Sequence, residues 1–414
     1  MSLSKKVLFN TFAQFINRFV IAGSAFLVSL LIARIFGARG FGEYAKSTTF
    51  IAFFYLFADF GMNAYILREI THNPAREKEI VGNLFGLRLI VGIILTLLAF
   101  LVTFILPYDA VRNEGFTPVA KQAIQVLTIL VLYQAFLNTT NIIFQKHLKY
   151  EQSTLANIVG SIVTLIAVIV FLYFKSPLPI VLFGYSIGSL FAGIILFIFV
   201  KKLFIHFTPL FSWLEFKKII LNSLPLGLTL VFNLVYFRAD VFILTLFRTT
   251  TEVGTYGLAY KFFEFPLTLP AFFANSLYPI FLARVNDKKL FKETVVKAGL
   301  FLLGSSIIVL LGFYLCAPLL VFVRKDFYPS IEVLRILSLS TPVFFLSSLS
   351  MWIMITFGKN KQLLIIYFLG MIANVILNLI FIPFYGTYAA AMITLISEFF
   401  ILLVSGAVAI KLVW

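Results

Sequence analysis

Charge is scarce in this sequence. Asp, Glu, Lys and Arg make up 12% of its 414 residues, about half the ~25% of a soluble domain. Hydrophobic residues make up 61%, and mean hydropathy is +1.03. The surplus apolar surface must face lipid, so the chain reads as a polytopic membrane protein. Cysteine is nearly absent, and the single Cys316 excludes a disulfide within the chain. His72, His147 and His206 lie outside the apolar runs and have no metal-ligand spacing, so no metal or other cofactor is expected. Long polar segments are also missing, and no loop is large enough to fold as a domain. The longest outer loop, 107–119, offers only Asp109, Arg112 and Glu114. That is too few groups for a membrane glycosyltransferase or polymerase, so an enzyme is not expected. The net charge of +16 sits mostly in short loops, where Lys and Arg set topology, and nucleic acid is not an expected partner.

What is present is a succession of apolar runs. At about 20 residues per crossing there are twelve: 12–36, 44–66, 81–106, 120–144, 153–174, 180–200, 219–246, 253–283, 294–323, 331–357, 362–384 and 388–411. The opening "MSLSKK" leads into a full-length run with no small-residue cleavage site, and reads as the start of the first membrane helix rather than a signal peptide. Pro225, Pro266 and Pro270 are expected to break their helices locally. Eighteen of the 33 Lys and Arg residues fall on one side of this topology, from Lys5 and Lys6 to Lys411, and nine on the other. The positive-inside rule therefore puts both termini in the cytoplasm.

The chain repeats itself weakly. "LFNTFAQF" opens the first run and "ILNSLPLG" the seventh, and "GARGFGEYA" parallels "TTTEVGTYG". Asn10 aligns with Asn222, Gly42 with Gly254 and Tyr44 with Tyr256, all 212 positions apart. "GFTPVAKQAIQVL" and "DFYPSIEVLRILS" match at nearly the same offset. Six crossings per half make the repeats parallel, related by an axis along the membrane normal. The expected organisation is an all-α chain with two six-helix bundles, 1–200 and 219–414. An amphipathic linker at 201–218, "KKLFIHFTPLFSWLEFKK", is expected to lie on the cytoplasmic face.

Two six-helix halves, "IARIFGARGFGEYAKSTTF", "VYFRADVFIL" and "IPFYGTYAAAMITLISE" together resemble the bacterial polysaccharide flippases of the multidrug/oligosaccharidyl-lipid/polysaccharide exporter superfamily. The resemblance covers the whole chain. It implies two V-arranged lobes around a central cavity and transfer of an undecaprenyl-diphosphate-linked oligosaccharide across the inner membrane. The pathway would be cell-surface polysaccharide synthesis, such as that of O-antigen. A monomer in the cytoplasmic membrane is expected, with membrane lipid and the polysaccharide's polymerase machinery as partners. The alternative within the superfamily is an ion-coupled drug/cation antiporter, which would want an acid-dominated cavity.

Eight ionisable residues lie deep in the runs: Arg18, Asp59, Arg88, Arg238, Asp240, Lys261, Glu264 and Glu398. At 1.5 Å per residue, Arg18, Asp59 and Arg88 are roughly 10 Å from the cytoplasmic helix ends. Arg238, Asp240, Lys261 and Glu264 are roughly 9–17 Å from the outer ends. Arg238 and Asp240, two apart, point away from each other, whereas Lys261 and Glu264 share a face. Arg238 is therefore placed to meet Glu264 across the seventh and eighth helices, and Lys261 to meet Asp240 or turn to the cavity. Arg presents a planar fork suited to phosphate. Arg18, Arg88, Arg238 and Lys261 are thus the substrate-binding candidates. Asp59, Asp240, Glu264 and Glu398 are candidates for structural pairing or for coupling to H+ or Na+. Snorkelling and interhelix ion pairing are the competing accounts for these charges. "YKFFEF" (Tyr260–Phe265) and the spacing Gly184–Gly188 are expected to serve packing rather than ligand binding.

Overall fold

A computed structural model describes the backbone of residues 3–203 and 208–414, and their side chains except 3–15, 18, 271, 272 and 275. The chain is almost wholly helical. α1 (Leu3–Asp59) is two helices joined at Gly37, and α2 (Met62–His72) and α3 (Glu77–Val102) follow. A two-stranded turn, β1 (Tyr108–Asp109) with β2 (Glu114–Gly115), leads to α4 (Pro118–Leu127) and α5 (Ile129–Lys146). Next come α6 (Tyr150–Tyr173), α7 (Leu178–Leu203), α8 (Trp213–Phe247), α9 (Thr250–Glu264) and α10 (Thr268–Arg284). The chain ends with α11 (Lys288–Cys316), α12 (Ser330–Leu339), α13 (Thr341–Thr356) and α14 (Asn360–Val413), the last again two helices, joined at Gly386. Among the described residues nine stretches are long and apolar enough to cross a membrane. Two of them hold the helix pairs joined at Gly37 and Gly386. With the shorter α9–α10 pair taken as one more crossing, this is consistent with the twelve expected.

The repeat is visible in where helices break. α4 gives way to α5 at Thr128, and α12 to α13 at Ser340, 212 positions on. The α5–α6 turn uses a left-handed residue at Leu148, and the α13–α14 turn uses one at Gly358. Of the three prolines expected to break helices, Pro266 stands in the gap between α9 and α10, and Pro270 lies in the first turn of α10. Pro225 is carried inside continuous α8, where Thr229 Oγ1 donates to its carbonyl at 3.0 Å. Gly188 fulfils its packing role, because an added Cβ would overlap Thr164 and the Gly160 carbonyl oxygen of α6.

The chain folds as two compact units: residues 1–35, 46–108 and 116–231, and residues 36–45, 109–115 and 232–414. In the first unit the described part of the 201–218 segment crosses the start of α3. Leu210 N donates to Gly82 O and Ser212 N to Asn83 Oδ1, each at 2.9 Å. Lys218 pairs with Glu69 at 2.9 Å, and Arg76 with Glu215 at 2.7 Å and Glu79 at 3.0 Å. The Arg76 hydrogen bond holds the Glu79 carboxyl below its ordinary range. Phe211, Trp213 and Leu214 stay exposed beside these pairs, the pattern of a segment lying at a membrane interface.

In the second unit, 36–45 and 109–115 pack on α9 and on the 324–327 turn. Gly37 has φ 68° and Gly386 φ 58°, conformations that only glycine adopts without strain. Each sits against an Arg–carboxylate pair, Arg324–Asp326 at 3.2 Å and Arg248–Glu252 at 2.6 Å. Asp326 also accepts from Ala38 N at 2.9 Å, satisfying an orphan donor where the second helix of α1 begins. Thr250 N donates to Asn113 O at 3.2 Å. The repeat-related Gly42 and Gly254 meet backbone to backbone. A Cβ on Gly254 would overlap the Ala38 carbonyl oxygen, and one on Gly42 the Thr250 carbonyl oxygen. Gly254→Ala is therefore expected to destabilise the protein by about 1–3 kcal/mol, although alanine is the better helix former. Gly304→Ala meets nothing within 4 Å and should be neutral or stabilising. Thermal unfolding of the two variants in detergent makes the comparison.

Candidate functional site

The deep charges of the second unit are set out by helical geometry. On α8, Arg238 and Asp240 leave the helix in nearly opposite directions, as their spacing requires. Arg238 Nη2 reaches Glu264 Oε1 on α9 at 2.9 Å, the pairing expected from the sequence. Its guanidinium also lies 6.0 Å from the Tyr260 ring centroid. Lys261 does not turn to Asp240. It approaches the same Glu264, 4.0 Å from Oε2, because it lies one turn away on the same helix face. Asp240 takes its hydrogen bonds from the Tyr256 hydroxyl and from Val241 N, the latter at 2.7 Å. Glu398 on α14 accepts from Tyr236 Oη at 2.7 Å and from Ser347 Oγ.

The acids of this layer separate by burial. Asp240 and Glu398 are only 3% and 2% exposed. Arg238, Lys261 and Glu264 keep side-chain exposures of 27%, 31% and 38%. One carboxylate is thus shared by two cations, and the accessible part of this layer carries one excess positive charge. The aromatic ring cluster is packing, as expected for "YKFFEF". Phe263 meets Phe344 edge-on at 5.8 Å, Phe237 stacks on Phe344 at 6.0 Å, and Tyr260 Oη donates to Phe237 O at 3.3 Å.

In the first unit Arg88 of α3 is 1% exposed. Its Nη2 donates to Asp59 Oδ1 and Asn63 Oδ1, each at 2.8 Å, and its Nη1 to Thr139 Oγ1 at 3.5 Å. Arg88, one of the substrate-binding candidates, is held in an interhelix ion pair with Asp59, the competing account named for it. The Arg18 side chain lies outside the described residues.

Residues 3–285 match the polysaccharide biosynthesis protein family. The chain belongs to that family. An uncharacterized membrane protein of Methanocaldococcus jannaschii is 23% identical over 430 residues, spanning 96% of this chain and 83% of that protein. The fold matches the lipid II flippase MurJ in an inward closed conformation with a TM-score of 0.78. Identity there is 17%, over 98% of this chain and 87% of that one. It also matches an inward-facing multidrug resistance MATE family transporter of the MOP superfamily with a TM-score of 0.76. Identity is 15%, over 97% and 94% of the two chains. The chain is thus a multi-pass membrane protein of the polysaccharide biosynthesis protein family, with a fold shared with these transporters.

Several groups of this polysaccharide biosynthesis protein escaped sequence reasoning because they carry no charge. Tyr236, Tyr256 and Ser347 supply the donors for the buried acids. Asn374 Nδ2 donates to Ser397 Oγ at 3.2 Å, and Asn378 Nδ2 to Asn374 Oδ1 at 2.9 Å, forming a polar seam inside α14. The signal available was Asn at positions i and i+4 in an otherwise apolar run. Two charged residues, Glu43 and Lys46, are also helical and buried. The Arg88–Asp59 pair makes a clear prediction. Arg88→Ala leaves the half-buried Asp59 carboxylate without its cation and should cost about 1–3 kcal/mol. Combining Arg88→Met with Asp59→Asn should recover most of that loss. Unfolding of the single and double variants measures the coupling.

Proposed function

We propose that the protein is a flippase. It moves a lipid-linked, diphosphate-bearing oligosaccharide across the cytoplasmic membrane by alternating access, for cell-surface polysaccharide synthesis. The observation that carries this reading is the Arg238–Glu264–Lys261 cluster, accessible and in net positive excess, with Asp240 and Glu398 withdrawn into the protein. A diphosphate offers two negative groups and several acceptor oxygens. The guanidinium fork of Arg238 suits them, and release from Glu264 would free further donors. Family membership and a fold shared with a lipid II flippase support the same reading. A drug/cation antiporter would need an accessible acid in excess, whereas Glu264 is already outnumbered by cations.

Asp240 and Glu398 are the proposed coupling sites. Neither is in a salt bridge among the described residues, and both are ringed by hydroxyl or amide donors. An isolated carboxylate in such surroundings binds a proton or a metal cation more readily than it stays bare. In this proposal H+ or Na+ occupies one of them during part of the cycle. Asp240→Asn and Glu398→Gln keep shape and remove charge. They should uncouple transport from the gradient of the ion used, and dependence on H+ or Na+ gradients in vesicles identifies it.

Transport measured against abundance in the membrane tests the role of Arg238. Arg238→Ala should lower transport about tenfold or more at near-normal abundance, from the loss of charge-assisted hydrogen bonds. Arg238→Lys should retain part of the activity. A proportional fall in abundance and transport would make Arg238 a structural pair member. Full activity would remove it from substrate handling.

In the proposed cycle, segment 109–115, contributed by the first half of the chain, separates from α9 although the two pack in one compact unit here. In a Cys316→Ser background, Asn113→Cys with Thr250→Cys joins positions whose side-chain oxygens lie 3.5 Å apart. Oxidation should stop transport and reductant restore it. Undiminished transport by fully crosslinked protein would contradict this mechanism.

A further inference from the structure

Apart from the charge cluster, an apolar groove lies among the described residues of each compact unit. The first, ≈460 Å³, lies between α3, α5 and α7, with Leu89, Leu132, Leu190, Ile194 and Phe197 among its walls. The second, ≈360 Å³, lies between α11, α13 and α14, with Leu300, Leu303, Leu346, Leu402 and Ile410 among its walls. They occupy equivalent places in the repeat: Leu190 and Leu402 are 212 positions apart.

Both grooves run toward the lysine-rich helix ends, and both end at a lysine over an aromatic ring. Lys201 Nζ stands 4.9 Å from the Phe197 ring centroid, with exposed Lys202 beside it. Lys292 Nζ stands 4.8 Å from the Trp414 ring centroid, with exposed Lys411 on the last turn of α14. The acid nearest in sequence to the second mouth, Glu293, is taken by Lys297 at 2.5 Å. Each mouth therefore has one lysine over an aromatic ring, with a second exposed lysine within three residues of that lysine or that ring.

Length selects the occupant. On α7 the lining extends from Ser186 to Phe197, about 16 Å along the axis. On α14 it extends from Leu402 to Trp414, about 18 Å. Each is close to half of a ~30 Å hydrocarbon core, the depth of one leaflet. A long polyprenyl chain would overrun either groove. Glycines keep the floors open. An added Cβ on Gly193 would meet only the Tyr133 ring, at 3.7 Å, and one on Gly406 only Leu402 and Ser350, at 3.9 Å.

We propose that each groove seats one acyl chain of an anionic phospholipid from the leaflet on the lysine-rich side. Its phosphate is held at Lys201–Lys202 in one unit and at Lys292–Lys411 in the other. The lipid is a resident of the bilayer and not the transported substrate, so this proposal stands whether or not the protein is a flippase.

Native mass spectrometry of the purified full-length chain, with phosphatidylglycerol or phosphatidylcholine added at equal concentration, tests it. The expected result is two retained phosphatidylglycerol molecules per chain, favoured over phosphatidylcholine by about tenfold. Gly193→Leu should reduce retention to one, and Gly193→Leu with Gly406→Leu to none, at unchanged unfolding temperature in lipid-free detergent. Lys201→Ser with Lys202→Ser should abolish the headgroup preference of one site without filling its groove, an arm that decides the matter if the glycine variants fold poorly. Equal retention of the two lipids by the unaltered protein would overturn the proposal. So would undiminished retention in a folded double glycine variant, or displacement of phosphatidylglycerol by an equal concentration of undecaprenyl phosphate.

Discussion

A charged side chain at the centre of a bilayer costs about 2.5–3.5 kcal/mol even on mild insertion scales. The described deep charges of this protein are arranged under that constraint. Arg88 meets Asp59, Asn63 and Thr139 from neighbouring helices. Asp240 and Glu398 draw in tyrosine and serine hydroxyls. Glu264 serves two cations at once. The functional character of the site follows from this partition. Acids that find neutral donors are buried, and the cations left around a single carboxylate remain accessible.

A second constraint acts at the helix ends away from the lysine-rich side. Gly42 and Gly254 bring backbones together with no room for a Cβ, and their contact is flanked by the Asp326–Ala38 and Thr250–Asn113 hydrogen bonds. Short segments from the first half of the chain, 36–45 and 109–115, thereby become part of the second compact unit. Such a contact is specific because it is made by main-chain atoms and small residues.

Much of this was legible in the sequence. Hydropathy marks the crossings, because each must supply about 20 apolar residues. Opposite spacing on α8 and shared spacing on α9 were enough to pair Arg238 with Glu264. Of the two placements expected for Lys261, the one beside Asp240 is taken by Tyr256, which reads as an apolar residue until its hydroxyl is seen to fill that site. The breaks at Thr128 and Ser340 were equally hidden, because neither falls at a glycine. Burial of Arg88 was not legible either, since depth along a helix does not reveal which way a side chain points. The repeat offset anticipated a relation between Gly42 and Gly254, but not that the two would touch.

The central claim is that an accessible excess of positive charge around Glu264 receives a lipid diphosphate. Binding to the purified protein in nanodiscs addresses it most directly, by comparing a polyprenyl-diphosphate sugar with a neutral glycolipid of the same chain and with a lipophilic cation. The account predicts tight, salt-sensitive binding of the diphosphate alone, weakened about tenfold or more when Arg238 is replaced by alanine. Equal binding of the diphosphate and the neutral glycolipid, or preference for the cation, would contradict it.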